Sequence, residues 1–297
     1  MNSNHAYLLL SIIVLSLFGC SKNYTNVRTF ADATTSVTQA TPALLTDNQQ
    51  SCWRSQRLTQ QMLTVIKSDF EAKYSADYKA ICESRGKKLK PIADINTVLS
   101  NFSGAISSLA KDDFVTGKPE AENATNFLTS MGKLGAFELT SDQISAVTKI
   151  SQFVTNAMLN SERQSSLSKA FSQENQKNLK EIISALQKAS GFFLLDLVSE
   201  TETICLISTE MARNRGNEEV LALSEFKDRL ASQIEIIEAK KIAITKYSEA
   251  LLKLSEAIAP AAKSIQNPGN KEILTEIKNF AQQAYDLNKL FKTEFGR

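Results

Sequence analysis

Apolar residues recur three and four positions apart along most of the chain, and no stretch alternates with period two long enough to make a strand. The strongest run is 217–259. There Leu223, Leu230, Ile237, Ile244, Leu251 and Ile258 repeat every seven residues, with Phe226, Ile234, Tyr247 and Leu254 beside them. This spacing predicts a helical rod about 65 Å long. Glu225–Arg229 and Glu249–Lys253 are favourably ordered i, i+4 pairs along it. Pro260 is expected to end or kink the rod, and Asn267-Pro268-Gly269-Asn270 to turn the chain. A last helix over about 271–294 then carries Ile273, Ile277, Phe280, Ala284, Leu287 and Phe291 on one stripe.

Upstream, Leu58, Met62, Ile66, Phe70, Tyr74, Tyr78 and Ile81 predict one amphipathic helix over about 43–84, supported by an Asp69–Lys73 pair and closed by Arg85-Gly86-Lys87-Lys88. Pro91 then opens a helix whose Ile92, Ile95, Leu99, Phe102, Ile106 and Leu109 form an a/d seam. A loop at 112–120 leads to a short helix at about 120–134 with Ala124, Phe127, Leu128, Met131 and Leu134. Thr140 and Gln143 have the spacing of a capping box, and Leu139 can staple onto Ile144. From there Ile144, Val147, Val154, Met158 and Ser161 carry a stripe to about 164. The Ser- and Gln-rich stretch 161–176 reads as a polar joint or a solvated continuation. Leu179, Ile182, Ile183 and Leu186 resume the pattern to about Asn214, with Gly216 as the stop. Residues 21–41, rich in Thr, Ser and Asn but with Val27, Phe30, Thr34 and Val37 at helical spacing, read as a flexible tether or a weak first helix. The expected fold is all-α: an elongated antiparallel bundle of long coiled-coil-like helices over 43–297, preceded by a segment at 20–42. No 20–50-residue repeat is present.

The N-terminus adds an address. Residues 6–19 are apolar apart from Ser11 and Ser16, too short for a membrane span of about 20 residues but suited to the core of a secretory signal. Leu17-Phe18-Gly19-Cys20 resembles the lipobox of bacterial lipoproteins, with Phe18 bulkier than usual and no Lys or Arg before the apolar run. An ordinary cleaved signal, with Cys20 simply the next residue, is the competing reading. The resemblance implies cleavage after residue 19, lipid attachment at Cys20 and membrane anchoring by several acyl chains. With Ser21 rather than Asp after the cysteine, it further implies the outer membrane, facing the periplasm.

Composition then narrows the chemistry. With 34 basic and 32 acidic residues the net charge is +2, so no global field steers nucleic acid to the chain. The single His is His5, inside the leader. A mature chain without His lacks Ser-His-Asp and Cys-His sites and His-ligated zinc, and no cofactor is expected. Gly 10 and Pro 5 disfavour turn-rich β architecture. Beyond Cys20, three cysteines remain: Cys52, Cys82 and Cys205. In one continuous helix over 43–84, Cys52 and Cys82 would stand about 45 Å apart and could not bond. Either can reach Cys205; Cys52–Cys205 is taken as the candidate bridge, with Cys82–Cys205 or three separate buried thiols as alternatives.

Ser-x-x-Lys occurs at Ser84–Lys87, Ser130–Lys133 and Ser166–Lys169, a pattern also used by penicillin-binding proteins, but three copies with no Lys-Thr-Gly strand read as chance. Thr116-Gly117-Lys118 lacks the upstream glycine of a phosphate loop. Trp53 beside Cys52 is a candidate packing anchor, and Arg85, Lys87, Lys88 and Lys90 read as a solvated helix end, with contact to anionic lipid or cell-wall polymer as the alternative. The apolar run 191–198, centred on Phe192, Phe193, Leu194 and Leu195, resembles in layout the hidden hairpin of α-helical pore-forming toxins. The preferred reading is a helix buried on most sides. The function expected from all this is a non-catalytic, membrane-anchored helical lipoprotein that binds another envelope protein as an adaptor, exclusion or immunity factor. A membrane-active helical protein is the alternative. A homo-oligomer fits either, because the 217–259 seam can pack within the chain or against a second copy.

Overall fold

The computed structural model describes residues 24–66, 71–111, 139–159, 162–215 and 220–296. Within them the fold is all-α. The helices are α1 (Thr25–Thr38), α2 (Thr41–Ile66), α3 (Glu71–Ala110), α4 (Ser141–Leu159), α5 (Arg163–Ala170), α6 (Gln173–Arg215), α7 (Val220–Gln266) and α8 (Lys271–Phe295). The expected helix at 120–134 and the expected stop at Gly216 lie outside the described residues, as do Asp69 of the expected Asp69–Lys73 pair and the expected signal with Cys20.

The heptads settle inside the chain. Leu230, Ile237, Ile244, Leu251 and Ile258 of α7 are all at most 3% exposed and pack with α6, α8 and α1. The α8 stripe from Ile273 to Phe291 and the α3 seam from Ile92 to Leu109 are buried throughout. Burial of so many apolar side chains, each contributing about 1.5–3 kcal/mol, is what aligns the rods. One further detail of the pattern holds: Thr140 and Gln143 exchange both bonds of a capping box, at 3.1 and 3.2 Å. Asn270, at the end of the expected turn, in addition caps α8 by accepting from the amides of Glu272 and Ile273.

Several expectations give way to packing. Pro91 lies within α3 rather than at its start, and Pro260 lies within α7, which removes the ending, though not the kink, expected there. Both prolines are buried, and the apolar positions on either side hold each helix together against the roughly 3 kcal/mol that an interior proline costs. The ion pairs on α7 run Lys246–Glu249 and Lys253–Glu256, so Glu249 is not bound to Lys253. Ile81 and Ile144, placed on core stripes by spacing, are 52% and 43% exposed. The 161–176 stretch is a joint: α5 ends at Ala170, and buried Phe171 anchors the corner before α6.

Of the two readings of residues 21–41, the part from Tyr24 onward takes the helix and not the tether: α1 is a full element of the core, with Val27 and Val37 fully buried and Phe30 at 1%. Phe30 meets Phe171 edge-on at 5.7 Å and Phe280 at 5.9 Å. The bundle therefore begins at Tyr24, not at residue 43. Thr hydroxyls along α1, such as Thr34 on Phe30 O at 2.8 Å, return bonds to the preceding turn and so are buried without an orphaned group.

At the α1–α2 corner, Thr41 Oγ1 donates to Asn96 Oδ1 at 2.7 Å and lies 2.8 Å from the Tyr247 hydroxyl, while Asn96 Nδ2 donates to Thr38 O. Burial pushes the Tyr247 phenol far above the ordinary tyrosine value, with the Thr41 bond opposing only in part. The neutral phenol is thus the folded form. Its contribution is complete below about pH 10, the value in an unfolded chain, and is lost as pH rises above it. Unfolding titrations should show a fall in stability above that pH which Tyr247→Phe makes shallower, at a loss of about 1 kcal/mol at neutral pH.

Candidate interaction site

Helices α2 and α3 lie side by side and antiparallel. Cys52 of α2 and Cys82 of α3 are 5.6 Å apart, Cα to Cα, and are joined as a disulfide. The single helix expected over 43–84 is instead two antiparallel helices, which is why two cysteines 30 residues apart meet. The Cys52–Cys205 pairing is excluded: Cys205 is a free, exposed thiol on α6. Gly86 is not a helix stop either. It lies inside α3, one turn beyond Cys82, where an added Cβ would come within 3.0 Å of the Gln49 side chain. Opening the bridge by Cys52→Ser with Cys82→Ser should cost about 3–4 kcal/mol from freed loop entropy. Denaturant unfolding with and without reductant measures it.

Under this hairpin lies a layer of charge that spacing did not reveal. Glu200 of α6, 2% exposed, receives the Arg54 guanidinium on both oxygens at 2.6 and 2.9 Å and the Ser51 hydroxyl at 2.6 Å. Arg54 also reaches Asp47 at 3.0 Å, and Asp47 takes Lys240 of α7 at 2.6 Å. Lys240 in turn stands 5.6 Å from the ring of Phe295. A second pair lies one turn along: Asp196 accepts from Arg85 at 2.9 Å and from Asn48 at 2.5 Å. Burial works against the Arg54 charge, but the Glu200 bonds and the two carboxylate charges outweigh it and hold its pKa above the usual value.

A signal for this layer was present. Glu200 sits between Leu197 and Ile204 on the buried α6 stripe, and Lys240 between Ile237 and Ile244 on that of α7. A charge on a core position needs a partner on a facing helix; only the fold names it. Three cations (Arg54, Lys240, Arg85) meet three carboxylates (Asp47, Glu200, Asp196), so the layer is neutral and closed. Such a layer fixes the register of α2, α3, α6 and α7 and leaves no carboxylate free for acid–base work. Among the described residues there is no group of three or more His, Cys, Asp or Glu that would hold a metal.

Outside this layer, α6 has two faces. Phe193 and Leu197 are 2% exposed, whereas Phe192 is 55% and Leu195 65% exposed, with Val198 and Leu206 exposed beside them and Leu194 half-buried. The reading of 191–198 as buried on most sides is therefore corrected: one face is core and the other is open. The remaining candidates scatter. Ser166 is buried and its neighbour Lys169 exposed, so they form no pair, and Ser84 and Lys87 are both exposed. Ser130, Lys133 and the 116–118 loop lie outside the described residues. Of the basic cluster, Arg85 and Lys90 are bound to Asp196 and Asp94, leaving Lys87 and Lys88 exposed. Trp53 is half-buried. A groove of about 370 Å³ between α7 and α8, lined by Ile242, Lys246, Glu249, Asp286 and Leu290, holds no convergent polar set. No family model, curated protein or solved structure matches this chain.

Proposed function

We propose that this chain is a lipid-anchored, envelope-located helical protein that binds another envelope protein without catalysis, as an adaptor, exclusion or immunity factor. The observation that carries the reading is the Cys52–Cys82 bridge. Stable disulfides belong to oxidising compartments, which agrees with the secretory leader at residues 6–19 and the lipidatable Cys20. The binding surface is the open face of α6, where Phe192, Leu195, Val198 and Leu206 stand on the same helix that Glu200 and Asp196 lock in place. Scattered single apolar residues are ordinary; four within four turns of one helix favour a protein contact.

The test is a cross-linked pull-down from membranes of the host with three baits: the intact chain, Cys20→Ala, and Phe192→Asp with Leu195→Asp. One stoichiometric partner lost in both variants is the expected result. A partner unaffected by either change, or turnover of an envelope substrate by the purified protein, would sink the proposal. The membrane-active reading also has an observation in its favour: α6 contains an 18-residue stretch apolar enough to cross a bilayer, 44% of it buried. Vesicle leakage by the wild type that disappears in the double Asp variant, without loss of stability, would establish that reading instead.

A further inference from the structure

With the anchor reading as its premise, we infer that one end of the bundle, capped by Tyr24 and the Asn267–Asn270 turn, is a surface for the lipid headgroups, and that the disulfide hairpin projects away from the membrane. Cys20 and Tyr24 are separated by four Cα–Cα steps, at most about 14 Å of chain. Tyr24 is 5% exposed and fixed. The Arg163 guanidinium covers its ring at 4.8 Å while donating to the last carbonyls of α3, Leu109 O at 2.5 Å and Ala110 O at 2.9 Å. Asn26 Nδ2 ties the start of α1 to Pro268 O at 3.0 Å. An acyl chain at Cys20 thus pulls this end, and not a loose tether, against the bilayer.

The elements found there suit a headgroup layer. Among the described residues they include the C-termini of α3 and α7 and the N-termini of α5 and α8, with Lys111, Lys263, Lys271, Glu162 and Glu272 all exposed. From this end α7 runs about 70 Å outward. Thr41, Asn96 and Tyr247 lie part-way along, and the Arg54–Glu200 layer and Cys52–Cys82 lie beyond them. The open apolar residues of α6 share that polarity: Phe192, Leu195, Val198 and Leu206 are on the distal part, and no large apolar side chain between Gln173 and Gly191 is exposed. A rod lying flat on α6 would have no apolar contact along its proximal part.

The native thiol at Cys205, roughly 55 Å from the turn by helical rise, makes this measurable with the full-length, lipidated chain. One sample is labelled at Cys205. A second carries Cys205→Ser with Gly269→Cys, at a turn position where an added Cβ meets nothing within 4 Å. Both are reconstituted into phosphatidylethanolamine–phosphatidylglycerol vesicles bearing a headgroup acceptor, and the intact mass reports lipidation of Cys20. Energy transfer several-fold greater from position 269 than from 205 is expected. Equal transfer, or more from 205, in a chain whose mass shows the lipid would overturn the end-on surface and leave the anchor standing. An unlipidated mass in the membrane fraction would overturn the anchor reading and this surface with it.

Discussion

Glu200→Ala is expected to lower the free energy of unfolding by about 3–5 kcal/mol, the range for removing one partner of a buried ion pair. The loss arises from what stays behind. Arg54 keeps Asp47 at 3.0 Å, but its fork loses both oxygens of Glu200, and Ser51 loses its acceptor. With 24% of its side chain exposed, Arg54 recovers some hydration, which places the effect toward the lower end. Removing both partners is different in kind. Arg54→Met with Glu200→Leu deletes the desolvated charges together and should fall within about 1 kcal/mol of the wild type. Denaturant unfolding with the disulfide intact gives both values. If the single and double variants are equally destabilised, the layer acts through packing volume and not through charge.

Phe30→Ala should cost about 3–5 kcal/mol, as emptying a fully buried aromatic site does. Phe30 is 1% exposed and touches rings from two other parts of the fold, Phe171 at the α5–α6 corner and Phe280 of α8. A tether over residues 21–41 would make the same substitution silent. Thermal or denaturant unfolding therefore tells directly whether α1 belongs to the core. A cost below about 0.5 kcal/mol, typical of surface changes, would return this segment to the tether description.

These two sites also mark where reading the chain succeeded and where it stopped. Phe30 was on a visible stripe with Val27, Thr34 and Val37; what hid its importance was the run of Thr and Ser around it, which lowers helix propensity. Propensity is a local quantity, and contacts with α3, α7 and α8 override it. The partner of Glu200 was hidden for another reason. A charge inside an apolar stripe announces a conflict, but its resolution by Arg54, 146 residues away, depends on which helices become neighbours.

Local periodicity determined the helical class, the α7 and α8 rods, the α3 seam from Ile92 to Leu109 and the Thr140 cap, because each depends only on residues within a few turns of one another. The sequence also carries the apolar run 6–19 and Leu17-Phe18-Gly19-Cys20, from which a leader is expected, since an address is read as a linear string. Tertiary structure alone decided the reversal between α2 and α3, hence the Cys52–Cys82 bridge in place of Cys52–Cys205. It alone decided that Pro91 and Pro260 stay within helices, that 191–198 has one exposed face, and that two buried carboxylates and the half-buried Asp196 find three cations. Each of those outcomes is fixed by which helix lies against which, and burial and charge pairing between helices far apart in the chain leave no period in the sequence of either one.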